Sequence, residues 1–266
     1  MRALTALLCA ALLSATPAAA AGLLSLGSSQ DGRDWDAVGR LEVGGKAFCT
    51  GALIAPDLVL TAAHCLYDAD TGARVPATEM QFRAGWRNGR AAAYRYIRRA
   101  VHLGRYDYGA AEQQERVRSD VALLELQHPI NNTTIVPFET DREPGEGDRI
   151  GVVSYAHDRP EAPQLQEMCD VLARQDGIVV MSCQVDFGSS GSPVFSFDSG
   201  TPRIVSVVSA KAEADGDPVS LGIGLDGPLV ELRAELDRVR AASAVPGTRA
   251  LVAGARNDTG AKFIRP

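Results

Sequence analysis

Apolar residues fall in short runs separated by Gly, Pro, Asn and Asp, and most runs are rich in Val, Ile, Thr and aromatic residues. That pattern predicts strands over residues 38–43, 47–54, 58–61, 80–84, 92–101, 121–125, 149–155, 164–172, 178–184, 194–197, 204–210 and 222–224. Short strands punctuated this regularly imply an all-β sandwich or barrel and not alternating β and α units. Two stretches break the rhythm. Residues 107–118 are polar and charged and read as a surface insertion. In residues 228–240, Leu and Val recur at helical spacing behind Pro228, which predicts an amphipathic helix. Residues 22–36 read as a linker or short pro-segment, and residues 241–266, small and polar without a period, as a loosely docked tail. No internal repeat is visible, and a division of the chain is expected within residues 131–144, where Asn, Thr, Pro and Gly cluster.

With 266 residues, 45% of them hydrophobic, the chain can bury a substantial core as one large domain or two joined halves. A formal charge of −6 leaves no basic footprint for nucleic acid. The first residues look like a targeting segment: Arg2, an apolar run over residues 3–13, then four alanines at 18–21. That run is too short to span a bilayer. Cleavage near Ala21 or Gly22 is expected, giving a secreted or periplasmic protein with no membrane contact after processing. Cys9 would leave with the leader. Cys49, Cys65, Cys169 and Cys183 remain, and an even number in an oxidising compartment suggests two disulfides. Of three possible connectivities, the two short loops Cys49–Cys65 and Cys169–Cys183 are the natural choice. Zinc is the alternative use of these thiols, but no CxxC spacing supports it.

Three segments carry candidate chemistry. Asp186-Phe187-Gly188-Ser189-Ser190-Gly191-Ser192-Pro193 must turn sharply, and such a turn can present a serine beside backbone N–H groups, as a nucleophile requires. Taken alone it reads first as an ordinary Ser/Gly surface loop. Val59-Leu60-Thr61-Ala62-Ala63-His64-Cys65 puts an imidazole at the end of an apolar strand beside a cysteine that can clamp it, which suits a general base. Asp120, at the mouth of the apolar run 121–126, needs a cationic or N–H partner if it is buried, and an imidazole N–H would serve. A core histidine and a strand-entry carboxylate are the plain structural readings of these two.

Leu60-Thr61-Ala62-Ala63-His64-Cys65, Asp120-Val121-Ala122-Leu123-Leu124 and Gly188-Ser189-Ser190-Gly191-Ser192-Pro193 resemble, in order, the motifs of the chymotrypsin/trypsin-like serine peptidases, and most closely their bacterial, glutamyl-endopeptidase-like branch. The resemblance implies two packed six-stranded antiparallel Greek-key barrels with a C-terminal helix. One half (residues 37–135) would carry His64 and Asp120, and the other (residues 136–226) Ser190, followed by a helix (227–242) and a tail (243–266) after a signal peptide (1–21) and linker (22–36). It also implies Ser190 as nucleophile, His64 as general base and then acid, Asp120 as the group orienting the imidazole, and the N–H groups of Gly188 and Ser190 as oxyanion donors. Gln184, Val185, Val208 and Ser209 would fall at the specificity pocket, with Ser209 on the strand that pairs with bound peptide. No cofactor or metal is implied, the substrate is a protein or peptide, and a monomer is expected. All four histidines precede Ser190, and the serine segment is not G-x-S-x-G, so an α/β-hydrolase is excluded. His102, His128 and His157 read as surface or loop histidines.

The sequence departs from the trypsin branch at Ser189, where that branch places an aspartate that pairs with a freed N-terminus. No mature N-terminus of that kind is recognisable, although residues 37–41 sit near where one would fall. Gln184 or Val185 stands where trypsin has its pocket carboxylate, and no histidine follows Ser190 to read a glutamyl side chain. A small or apolar side chain is therefore expected in the first pocket. The competing class is a binding module on the same fold that has lost turnover.

Overall fold

The computed structural model describes residues 23–244 except 29 and 112, so the leader, Cys9 and the tail beyond 244 lie outside it. Thirteen strands are described: β1 (Leu23–Ser25), β2 (Val38–Val43), β3 (Ala47–Ala55), β4 (Leu58–Thr61), β5 (Met80–Ala84), β6 (Ala93–His102), β7 (Ala122–Leu126), β8 (Arg149–Ala156), β9 (Arg159–Gln175), β10 (Ile178–Met181), β11 (Pro193–Ser196), β12 (Arg203–Ala214) and β13 (Asp217–Gly224). Two helices accompany them, α1 (Gln113–Val117) and α2 (Asp226–Ala244).

The strands close into two six-stranded antiparallel barrels, ordered β2-β3-β4-β7-β6-β5 and β8-β9-β10-β13-β12-β11. The second is closed by β8 pairing with both β9 and β11. Both rings run through their strands in the same order, so the topology repeats although the sequence does not. Closure leaves few unpaired edges and buries an alternating face of each strand. Leu41, Leu53, Leu60, Phe82, Ile97 and Leu123 fill the first barrel, and Ile150, Val152, Val179, Val194 and Val208 the second. Trp35, Phe138 and Phe195 form an edge-to-face cluster, with Trp35 and Phe195 centroids 5.1 Å apart.

Several elements differ from expectation. The expected linker begins with a strand: β1 pairs with β9, and Leu26 and Trp35 behind it are buried. The run predicted over 164–172 is a longer strand, and 178–184 ends at Met181, where the chain leaves the sheet for the disulfide at Cys183. The β12–β13 hairpin projects further than its apolar pattern suggested, because its exposed tip is polar and turns through Asp215 and Gly216, both at positive φ. Within the expected insertion, α1 buries Val117.

The helix α2 follows the second barrel in sequence but packs on β6 and β7 of the first. Leu229, Leu232 and Leu236 form its buried stripe, and Arg240 reaches Glu125 and Asp57. Cys49–Cys65 and Cys169–Cys183 are disulfide-bonded. Among the described residues no helix is long and apolar enough to cross a membrane.

Candidate active site

His64 stands in a single 3-10 turn (Ala63–Leu66) directly after β4, between buried Ala63 and Cys65. The Cys65 disulfide ties that turn to Cys49 on β3. Asp120 precedes β7, the partner of β4, so pairing of Thr61 with Ala122 brings the carboxylate alongside the turn. Asp120 Oδ1 accepts the His64 backbone N–H at 2.8 Å, and Oδ2 lies 2.7 Å from His64 Nδ1. Ser209 Oγ donates to Oδ2 at 2.5 Å. The Asp120 side chain is 4% exposed, so these three bonds replace the water its charge has lost. An ionised carboxylate only accepts, so the hydrogen sits on Nδ1 and Nε2 keeps its lone pair.

Burial alone would push the His64 pKa down, and the positive charge of Arg116 acts in the same direction. The charge and hydrogen bond of Asp120 outweigh both, so the imidazole titrates above its ordinary value.

Ser190 sits on a turn fixed almost entirely through its backbone. Thr50 N–H donates to Ser190 C=O at 2.9 Å, Gly191 N–H to Val208 C=O at 2.8 Å, and Val208 N–H to Ser192 C=O at 2.9 Å. Gly191 has φ +77°, and a Cβ there would lie 2.1 Å from Thr61 Oγ1 and 2.4 Å from Thr50 C=O. Only glycine lets the serine loop approach β3 and β4 this closely.

Immediately upstream, Ser189 N–H donates to Asp186 C=O at 2.9 Å, closing a β-turn with Gly188 third at φ +95°. Phe187, second in the turn, is not in the left-handed region, so this is a type II turn. The carbonyls along it are engaged elsewhere: Phe187 C=O accepts from His157 N–H at 2.8 Å, and Gly188 C=O from Thr50 Oγ1 at 2.9 Å. Among the described residues the N–H groups of Gly188 and Ser190 meet no acceptor, and Ser190 Oγ makes no hydrogen bond.

Two cavities meet at Ser209 and Ala210. One, of about 190 Å³, is lined by His64, Tyr106, Tyr108, Arg116 and Asp120. The other, of about 240 Å³, is lined by Val185, Asp186, Phe187, Ser190, Val208 and Lys211. Val185, Val208 and Ser209 line the cavity beside Ser190, whereas Gln184 is exposed and does not line it. Lys211 pairs with Asp186 at 3.1 Å and lies 4.4 Å from the Phe187 ring centroid. The Phe187 N–H, and then Lys211, hold the Asp186 carboxyl below its usual range.

Sequence reasoning missed Thr50, Tyr106 and the part played by His157. His157 stacks on Phe48 with centroids 4.9 Å apart, and the Phe48 ring fills the space a Gly188 side chain would need. His102, by contrast, bonds Tyr67 and the Leu103 carbonyl, away from the Ser190 cavity.

The trypsin-like peptidase domain matches residues 49–202, more than half of the chain. The glutamyl endopeptidase of Bacillus licheniformis is 26% identical over 148 residues, which cover 55% of this chain and 45% of that protein. The chain therefore spans less than half of that relative. Among solved structures, a Glu endopeptidase bound to MPD superposes with a TM-score of 0.67 at 18% identity, covering 83% of this chain and 98% of that one. An inactivated protease paralogue of the scabies mite gives 0.61 at 14% identity, covering 77% and 94%. At such identities the superpositions establish the fold alone. Two six-stranded barrels with His64 and Asp120 on one and Ser190 on the other define a chymotrypsin-like architecture. The chain belongs to the trypsin-like serine peptidase family.

Proposed function

We propose that this protein is a secreted or periplasmic serine endopeptidase that acts as a monomer on proteins or peptides. The observation that carries the reading is the chain of bonds from Ser209 through Asp120 to His64 Nδ1, which leaves Nε2 free to take a proton. Ser190 Oγ attacks the scissile carbonyl as Nε2 accepts its hydrogen, and a C–O bond forms. The oxyanion settles on the N–H groups of Gly188 and Ser190, for which no acceptor competes among the described residues. The imidazolium returns its proton to the departing amine as the C–N bond breaks. Water, deprotonated by His64, then releases the acyl group. Ser190 Oγ has no hydrogen-bond partner among the described residues, and catalytic hydrogen bonds of this type commonly close only around substrate. Residues 1–21 are removed as a signal peptide, and residues 37–135 and 136–226 act as the two halves that meet at the cleft.

A fluorophosphonate probe is expected to label the purified protein once, with the label lost in Ser190→Ala. The scabies mite paralogue is an inactivated protease on this fold, so the competing outcome is concrete: a folded chain that takes no label is a binding module.

The cavity beside Ser190 is walled by Val185 and Val208, and Lys211, its one cation, is already matched by Asp186. A second carboxylate entering there finds no uncompensated charge, so a small apolar residue is expected before the cleaved bond. Profiling cleavage of a peptide library checks this, and a dominant Glu or Arg at that position would contradict it.

A further inference from the structure

Resting on the peptidase reading, we propose that Thr50 is the positioning residue that holds the oxyanion turn in its working form. Thr50 is fully buried on β3, next to the cysteine whose disulfide fixes the His64 turn. Every polar atom it carries is committed to the site. Its N–H donates to Ser190 C=O at 2.9 Å, and its Oγ1 donates to Gly188 C=O at 2.9 Å. The same Oγ1 accepts Tyr155 N–H at 3.1 Å, and its carbonyl accepts Thr61 Oγ1 at 2.8 Å. One residue thereby joins β8 and the nucleophile loop through its hydroxyl and, through its carbonyl, the strand that leads to the base.

The need for such a clamp follows from the turn itself. Type I and type II turns differ chiefly by a flip of their central peptide, and a glycine in third place tolerates both. One bond holds the central peptide itself, and a second anchors the peptide after it, about which the flip must pivot. The His157 N–H fixes Phe187 C=O, and the Thr50 hydroxyl fixes Gly188 C=O on the far side of the same residue. Only the second of these is a side-chain bond. The residue before the nucleophile adds no charge that could do the work: Ser189 is fully buried, its Oγ donating to Tyr155 C=O at 3.3 Å. Removing the Thr50 hydroxyl leaves Gly188 C=O and Tyr155 N–H buried without partners, and rotation of the turn is the cheapest way to satisfy the carbonyl. The hole then loses a donor while Val185 and Val208 keep their places in the cavity wall. The turn is accordingly held from β3.

The test compares wild type with Thr50→Val, which keeps the shape, Thr50→Ala, which serves if the valine variant does not fold, and Thr50→Ser, which restores the hydroxyl. In Thr50→Val, kcat toward a peptide amide should fall roughly 10²- to 10³-fold, the scale of one lost oxyanion donor. KM should stay within about threefold, because the lost contact is made only to the transition state. A peptidyl boronic acid should lose affinity in parallel with kcat, and Thr50→Ser should recover most of both. Wild-type kcat in folded Thr50→Val, or no recovery in Thr50→Ser, would overturn the assignment. Amide hydrogen exchange across residues 186–192 gives a readout that needs no turnover: it should accelerate in Thr50→Val and not in Thr50→Ser. If wild type neither labels nor turns over, the peptidase reading fails by itself. Unchanged exchange in Thr50→Val would then sink the Thr50 role separately.

Discussion

Asp120→Asn is expected to fold and to lose about four orders of magnitude in kcat, the scale seen where an imidazole is left in the wrong tautomer. The reason lies in what the side chain must accept. Asp120 takes hydrogens from the His64 N–H, from Nδ1 and from Ser209 Oγ. An amide has one oxygen and one NH₂, so keeping the oxygen on the backbone N–H puts the NH₂ in the place of Oδ2, facing both Nδ1 and Ser209 Oγ. The ring must then carry its hydrogen on Nε2, where it donates toward Ser190 and cannot accept from it. A pH signature accompanies the loss. Neutral imidazole is the working base, so activity rises as pH climbs through the His64 pKa. In wild type that pKa is raised because Asp120 overcomes burial and Arg116, and the acidic limb should lie above the ~6.5 of an ordinary histidine. Without the carboxylate, burial and Arg116 act unopposed, and residual activity should persist to lower pH. Rate profiles against pH for both proteins check this. A loss under tenfold, or a limb that does not move, would remove Asp120 from its role.

Gly191→Ala is the second large effect. A methyl group would enter 2.1 Å from Thr61 Oγ1 and 2.4 Å from the Thr50 carbonyl, on a residue held at φ +77°. Neither neighbour can retreat, since each belongs to a strand of the first barrel. Left-handed backbone strain and overpacking each cost about 1–3 kcal/mol, so destabilisation of about 2–6 kcal/mol is expected. The same displacement moves the adjacent Ser190, so labelling should collapse even at temperatures where the variant remains folded. Urea titration followed by fluorophosphonate labelling measures both. An unchanged midpoint with full labelling would show that the loop yields more easily than its contacts indicate.

Most strands could be read from sequence because burial on one face imposes alternation, and Val38–Val43 and Met80–Ala84 were located to the residue. What escaped had a local reason. The strand Leu23–Ser25 is three residues long and exposed throughout, so no buried face imposes alternation on it. The polar end of β12 and β13 extends as a two-stranded ribbon, where pairing with a partner substitutes for a buried face. At the site, His64 and Asp120 were legible through motifs that place chemistry-bearing residues at strand ends. Thr50 was not, because a threonine inside an alternating strand is ordinary β material until the distant loop it bonds is known. His157 is the exposed turn residue its sequence context suggests; what escaped was its main-chain N–H on Phe187 C=O and its stacking on Phe48, both set by a distant loop.

The two ends of the described chain cross over. Leu23–Ser25 is stitched to the barrel that carries the serine, whereas Asp226–Ala244 lies against the one that carries the histidine. A polypeptide laced this way acts as its own clasp. A protease nick in the connection over residues 127–148 would cut the backbone yet leave each half gripped by an arm of the other, so the cleft would outlast the break.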